Sequence, residues 1–328
     1  MLHTADPKLT VNHVNFWLSE IVKSGIDFSI LVRDEKSFTQ LTKQFPKLQI
    51  CYAKTPVDVE TVVNAQPDLK VVLYTSNLAR NIHLLRFNHL KHIFIGTKNS
   101  DWLSNYNKSY RAYDEFWAGG EYAITRFKES IKNIGHLKLK SIGKPQIKEN
   151  ILYTAKEQNT SLVLVEPKNA ILEKIYFANV EQNLKSYIYL PEEKKDIYQN
   201  LESITTISGI GNKIIPVTTK KIVDEFAFKV SLIITDNKNF IPYLLTYGTP
   251  VLVYIEDEEE RHSLIPDIIQ DSLYYWTEYQ ELIDLLQLLH LQDPLKESRE
   301  YIVNILFDKA LSIHDEFKKN LIKTVEQL

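Results

Sequence analysis

The chain has 328 residues, of which 44% are hydrophobic and 25% charged, with a formal net charge of -3 and a single cysteine. These are ordinary globular proportions, which exclude a disordered or fibrous chain, and the length fits two domains better than one core. Scattered basic residues give no electrostatic footprint for nucleic acid, and the lone Cys51, in the apolar run Leu48 to Tyr52, reads as an inert buried thiol in a reducing compartment.

Residues 1 to 20 carry Asp6, Lys8, His13 and Asn15 without an apolar core, so no signal peptide is read there, and no window approaches the length of a membrane span. A cytoplasmic location is expected. Short runs rich in Val, Ile and Tyr then alternate with segments of helical period, the pattern of parallel sheets covered by helices. In the first half, strands are expected near Phe28 to Val32, Gln49 to Tyr52, Val71 to Tyr74, His92 to Gly96 and Glu115 to Ala118. Helices are expected over Val14 to Lys23, Val57 to Asn64 and Glu121 to Ile131. The second half repeats the scheme, with strands near Ile151 to Tyr153, Ser186 to Tyr189, Ser231 to Thr235 and Pro250 to Tyr254. Its helices are Glu192 to Leu201, Thr219 to Phe228 and Phe240 to Tyr247. After Tyr275 only helices follow, over Glu278 to Leu291, Glu297 to Phe307 and Asp315 to Leu328. Gly143-Lys144-Pro145-Gln146 breaks both periodicities and sets the junction. The α/β chain thus divides into two Rossmann-like domains, 1–145 and 146–328. They face each other across a cleft, with the closing helices packing back on the first.

Several stretches fall in the order of a known family. Lys91 to Phe127, reading KHIFIGTKNSDWLSNYNKSYRAYDEFWAGGEYAITRF, resembles the core of the teichoic acid and capsule glycerophosphotransferases. Leu69 to Phe87 is similar to that family's strand, asparagine-bearing loop and Arg-Phe helix. Tyr113-Asp114, Ala118-Gly119, Arg126 and Ile142 to Gln146 match later landmarks. The resemblance implies a GT-B glycosyltransferase arrangement, with an acceptor-side first domain and a donor-side second domain, and a transferase using a CDP-activated polyol such as CDP-glycerol; no cofactor and no metal are expected. It also implies a polymer or lipid-linked acceptor. The family's catalytic histidine falls at Thr97, whose hydroxyl does not titrate near neutral pH and cannot serve as a base. The second half departs further: Tyr153 to Asn159, Leu190-Pro191-Glu192 and Thr235 to Asn239 replace three of the family's functional stretches, while Gly248-Thr249-Pro250 is kept.

Candidate site residues follow from this frame. Asp101 holds the family's aspartate position, with helix capping as the alternative, and His83 is a second candidate for the missing base. His92 lies about 16 Å of extended chain from the lost histidine and reads as a core residue. On the donor side, Asp236, Asn237, Lys238 and Asn239 follow an apolar strand and open a helix with Pro242 in its first turn, a generic phosphate cradle. The alternative is an N-cap with a solvated lysine. Glu256 to Glu260 reads as a solvated helix start, not a metal site. Trp102 and Trp117 could line the cleft, with core packing as the safer reading. Lys318, Lys319 and Lys323 allow at most peripheral membrane contact. Two further functions stand beside the CDP-polyol transferase: a noncatalytic relative acting as partner or scaffold of a polymer synthase, and a nucleotide-sugar glycosyltransferase.

Overall fold

The computed structural model describes residues 1–97, 106–144, 156–165, 169–189, 215–217, 226–227, 229–308 and 313–328. The chain separates into two compact units, Met1–Lys148 with Asn304–Leu328, and Glu149–Val303. The strand expected at Ile151 to Tyr153, the helix expected at Glu192 to Leu201 and most of Thr219 to Phe228 lie outside the described residues.

The first unit holds the strands β1 (Leu2–Thr4), β2 (Ile30–Val32), β3 (Ile50–Tyr52), β4 (Val71–Tyr74), β5 (Lys91–Phe94), β6 (Glu115–Ala118) and β7 (Lys138–Ser141). They form one seven-stranded sheet in the order β3-β2-β1-β4-β5-β6-β7, and every pair is parallel. Parallel strands need helical crossovers, which cover both faces, so the central strands are apolar throughout instead of alternating. Side chains of period two then sort into two cores. Leu31, Val72, Tyr74, Phe94 and Phe116 point to one face, while Ile30, Val32, Val71, Leu73, Ile93 and Trp117 point to the other.

Helix α1 (Thr10–Ser24) begins where the Asp6 carbonyl accepts from the Thr10 amide at 2.9 Å and ends at Gly25, whose φ of 75° suits a residue without Cβ. Its buried residues His13, Val14, Trp17 and Ile21 recur at helical spacing and face the sheet. Asp34 caps α2 (Glu35–Gln44), and a Thr55–Asp58 capping box with Pro56 opens α3 (Pro56–Asn64). The short α4 (Ile82–Leu85) follows β4, and α5 (Glu121–Ser130) follows β6, packing Phe127 on Phe116 with ring centroids 4.2 Å apart.

The second unit contains β8 (Thr160–Leu164), β9 (Lys185–Tyr189), β10 (Ile215–Val217), β11 (Leu232–Thr235), β12 (Val251–Tyr254) and β13 (Tyr274–Trp276). They make a six-stranded parallel sheet ordered β10-β9-β8-β11-β12-β13. Among the described helices are α6 (Asn169–Glu181), α7 (Ile241–Leu245), α8 (Glu258–Leu264), α9 (Asp267–Gln270) and α10 (Tyr279–Leu291). Relative to its first strand, each sheet runs 3-2-1-4-5-6, the doubly wound Rossmann order, with a seventh strand added at the edge of the first sheet.

Helix α11 (Lys296–Phe307) starts in the second unit and finishes in the first, and α12 (Ile313–Glu326) lies on α1. Phe317 on α12 is 1% exposed and meets the Trp17 ring at 5.1 Å. The end of α11 rests against Gly120, where a Cβ would lie 2.5 Å from the carbonyl oxygens of Ile305 and Leu306. Because backbone carbonyls cannot swing aside, Gly120→Ala is expected to lower stability by about 1–3 kcal/mol. Gly135→Ala, with nothing within 4 Å, should be near neutral. Urea midpoints of the two variants test the difference.

Candidate functional site

In a doubly wound sheet, ligands collect outside the carboxyl ends of the strands, where crossovers diverge to opposite faces. That point lies between β1 and β4 in the first unit and between β8 and β11 in the second.

At the first of these, Thr4 ends β1, Thr75 follows β4, and His13 projects from the first turn of α1. His13 Nδ1 is 3.4 Å from both the Thr4 and the Thr75 hydroxyls, and Thr4 is 3.4 Å from the Thr10 hydroxyl. Burial holds the His13 imidazole below its usual pKa, against a smaller upward pull from Asp6. A neutral imidazole at pH 7 can take a proton. In the sequence His13 is one of several polar residues near the start of the chain, marked only by its place in the first turn after the first strand.

Beside it, Arg33 at 1% exposure ties two loops together. Its guanidinium donates to the carbonyls of Ala53 at 2.5 Å, Lys54 at 3.2 Å and Arg80 at 3.4 Å, and to His83 Nδ1 at 2.9 Å. Arginine only donates, so His83 accepts through Nδ1 and carries its proton on Nε2. His83, the sequence candidate for a base, is thus engaged in holding Arg33. His3 is buried nearby, with neither ring nitrogen in a well-formed hydrogen bond, and burial with the Arg33 charge lowers its pKa to about 3. His92 is a core residue as expected. Its Nδ1 accepts from the Tyr74 hydroxyl at 2.9 Å and its Nε2 donates to the Phe87 carbonyl at 3.1 Å.

Thr97 is half-buried after β5, and its carbonyl accepts from Lys144 Nζ at 3.3 Å. Asp101 and Trp102 lie outside the described residues. Trp117 is a core residue, 1% exposed, donating from Nε1 to Glu115 at 2.8 Å.

At the second unit's carboxyl edge, Thr235 Oγ1 donates to the Leu164 carbonyl at 2.8 Å and accepts from the Asn237 amide at 3.0 Å, joining β8 to β11 at the point of divergence. Asp236 and Asn237 are half-buried, and Asn239 lies in the single 3-10 turn Lys238–Phe240 that leads into α7. Lys238 is not solvated: at 12% side-chain exposure it pairs with Glu260 at 2.8 Å. Glu260 also accepts from the Glu256 amide at 2.7 Å, while Asp257 caps α8. Burial opposes ionisation of Glu260, but Lys238 and the Glu256 amide bring its pKa below the usual carboxylate value. The acidic run is therefore a helix start, as read, with one member turned inward to hold the lysine. No cluster of three or more metal-ligating side chains occurs among the described residues.

Two doubly wound parallel sheets in one chain define the GT-B fold. No protein-family model matches the chain, and no curated protein matches it in sequence. Solved structures do resemble it. One is UDP-GlcNAc 2-epimerase from Neisseria meningitidis bound to UDP-GlcNAc, with a TM-score of 0.61 and 14% identity over 100% of this chain and 99% of that one. Another is S. aureus MnaA in a structure with UDP, with a TM-score of 0.58 and 14% identity over 100% and 97%. A third is a glycosyltransferase from Rickettsia africae, with a TM-score of 0.53 and 10% identity over 99% and 97%. At such identities the likeness establishes the fold.

These findings correct the resemblance to CDP-glycerol glycerophosphotransferases, since the similar structures are UDP-GlcNAc 2-epimerases and a glycosyltransferase. The physical reason lies in the landmarks themselves. Gly96 has φ 60° and accepts from Trp17 Nε1 at 2.7 Å. Tyr113 is buried between Asn77 and Asn81, at 3.0 and 2.9 Å. Asp114 accepts from the His92 amide at 2.7 Å, and Arg126 stacks over Tyr106 and Tyr122. Each of these four residues is accounted for by the needs of the fold. No helix among the described residues is long and apolar enough to cross a membrane.

The buried histidines give a pH test. Burial is the main cause lowering His3, His13 and His92 below 6.5. Below that value the unfolded chain takes up protons that the folded one refuses. Stability is then expected to fall on acidification by about 1.4 kcal/mol per pH unit for each such histidine. For His3 the loss should continue down to about pH 3. Denaturant melts between pH 7 and 4 check this, and His3→Phe should reduce the slope by one proton.

Proposed function

We propose that the chain is a nucleotide-sugar-dependent glycosyltransferase. In this reading the nucleotide binds at the carboxyl edge of the second sheet, around Thr235, Asp236, Asn237 and Lys238. The observation that carries the reading is the divergence of β8 and β11 beside these residues, with a lysine at the edge where a diphosphate would lie. Similar folds crystallised with UDP-GlcNAc or UDP support the choice of nucleotide.

In the proposed step an acceptor hydroxyl attacks the anomeric carbon of the sugar. The bond from that carbon to the diphosphate oxygen breaks, the nucleoside diphosphate leaves, and the hydroxyl proton passes to a general base. A diphosphate would compete with Glu260 for the Lys238 ammonium, so binding exchanges one ion pair for another.

Isothermal titration with UDP, UDP-GlcNAc, UDP-glucose and CDP-glycerol tests the donor site. A UDP compound is expected to bind, and Lys238→Ala to weaken it about tenfold. Absence of binding by every nucleotide would refute the donor site. Binding without turnover in the unaltered protein would favour the noncatalytic reading.

A further inference from the structure

At the opposite, amino-terminal edge of the second sheet, a half-buried lysine and a buried arginine gather near one carboxylate. Lys156 precedes β8, and its Nζ donates to the Tyr247 carbonyl at 3.1 Å and to the Thr249 hydroxyl. Thr249 precedes β12 and is fully buried. Arg299, on α11, is 1% exposed and pairs through Nη2 with Asp293. The other Asp293 oxygen accepts from the Tyr274 hydroxyl at 2.8 Å, which itself accepts from the Leu295 amide at 3.2 Å. Asp293 is therefore used on both oxygens.

The Arg299 Nε and Nη1 atoms are buried and have no acceptor among the described residues. A guanidinium presents all its N–H groups as donors in one plane, and a buried charged donor left unmet is costly. The charges do not balance either, because Lys156 and Arg299 carry two positive charges against the one negative charge of Asp293. Burial, with the Arg299 charge adding to it, pushes the Lys156 ammonium down to about 8, while Asp293 pulls it up.

We propose that Arg299 and Lys156 hold a small monovalent anion of the chloride class at this edge of the second sheet. A single negative charge neutralises the excess. A dianion would meet the Asp293 carboxylate, and the closed surroundings of Arg299 exclude a bulky one. A halide accepts several N–H donors without directional demands, which suits two nitrogens of one guanidinium. The site is separate from the proposed nucleotide edge, since it lies where β8, β12 and β13 begin.

The test uses the full chain in sodium chloride and in sodium gluconate at equal ionic strength, with the melting midpoint as readout. Chloride is expected to raise the midpoint saturably, by about 2 °C at a concentration well above its dissociation constant. Arg299→Gln should abolish that increment. If that variant does not fold, Lys156→Gln serves, because it removes the excess charge and should likewise abolish the increment. Crystals soaked in bromide should show an anomalous peak within hydrogen-bond distance of Arg299 Nε or Nη1. Equal midpoints in the two salts would overturn the proposal and assign these donors to buried water. A bromide peak without a chloride increment in solution would also overturn it, as binding at crystal concentration only. An increment retained in both variants would place the salt effect elsewhere and refute the site.

Discussion

Parallel strands can be joined only by crossovers, and right-handed crossovers leaving a central strand in both directions must cover opposite faces. In each unit that central strand is the first of its sheet, β1 between β2 and β4, and β8 between β9 and β11. The chain must therefore part at the carboxyl ends of these strands. Backbone and side-chain polar groups released there are met locally: Thr4, Thr75 and His13 in one unit, Thr235 with Leu164 and Asn237 in the other. The candidate chemistry sits where the crossovers part, because that is where the topology frees polar groups at the carboxyl ends of the strands.

The two edges are stiffened by different electrostatics. Arg33 is held by backbone carbonyls and a histidine and not by a carboxylate, so its charge is not cancelled within that contact set. That charge helps to hold His3 and His83 neutral, after burial itself. Lys238 has a direct counter-ion in Glu260. One edge thus keeps a field that favours neutral imidazoles, while the other keeps a paired cation that an incoming anion has to compete for.

The sequence disclosed the fold where burial is complete. Val71–Tyr74 and Glu115–Ala118 were readable residue for residue, because four consecutive buried positions leave an unbroken signal. The strands β1 and β13 have three residues each, and β7, reading KLKS at the sheet edge, carries lysines that hide it. The strand β8 begins with Thr160 and Ser161, whose hydroxyls are buried by bonds to distant Ser231 and Ser186 that no local window contains. The site was harder still. His13 shares a buried helix face with Val14 and Trp17, and only the strand order shows that this helix opens at the point of divergence. Lys238 was identified as the edge cation, but its partner is one of five consecutive acidic residues. Which of them turns inward depends on Asp257 starting the helix. The family resemblance misled for a related reason, since Gly96, Tyr113 and Asp114 are demanded by backbone geometry and buried hydrogen bonds, which unrelated chemistries on one architecture can share.

Helix α12 on α1 has a consequence for how the molecule is made. The first unit is discontinuous, with all of Glu149–Val303 lying in the chain between its two parts. On the ribosome, Trp17 and its neighbours emerge early but receive Phe317 and Leu321 only after the whole second unit has been translated. The nascent first sheet must wait with one apolar flank uncovered, and the second unit, continuous in sequence, is free to reach its native state before the first is complete.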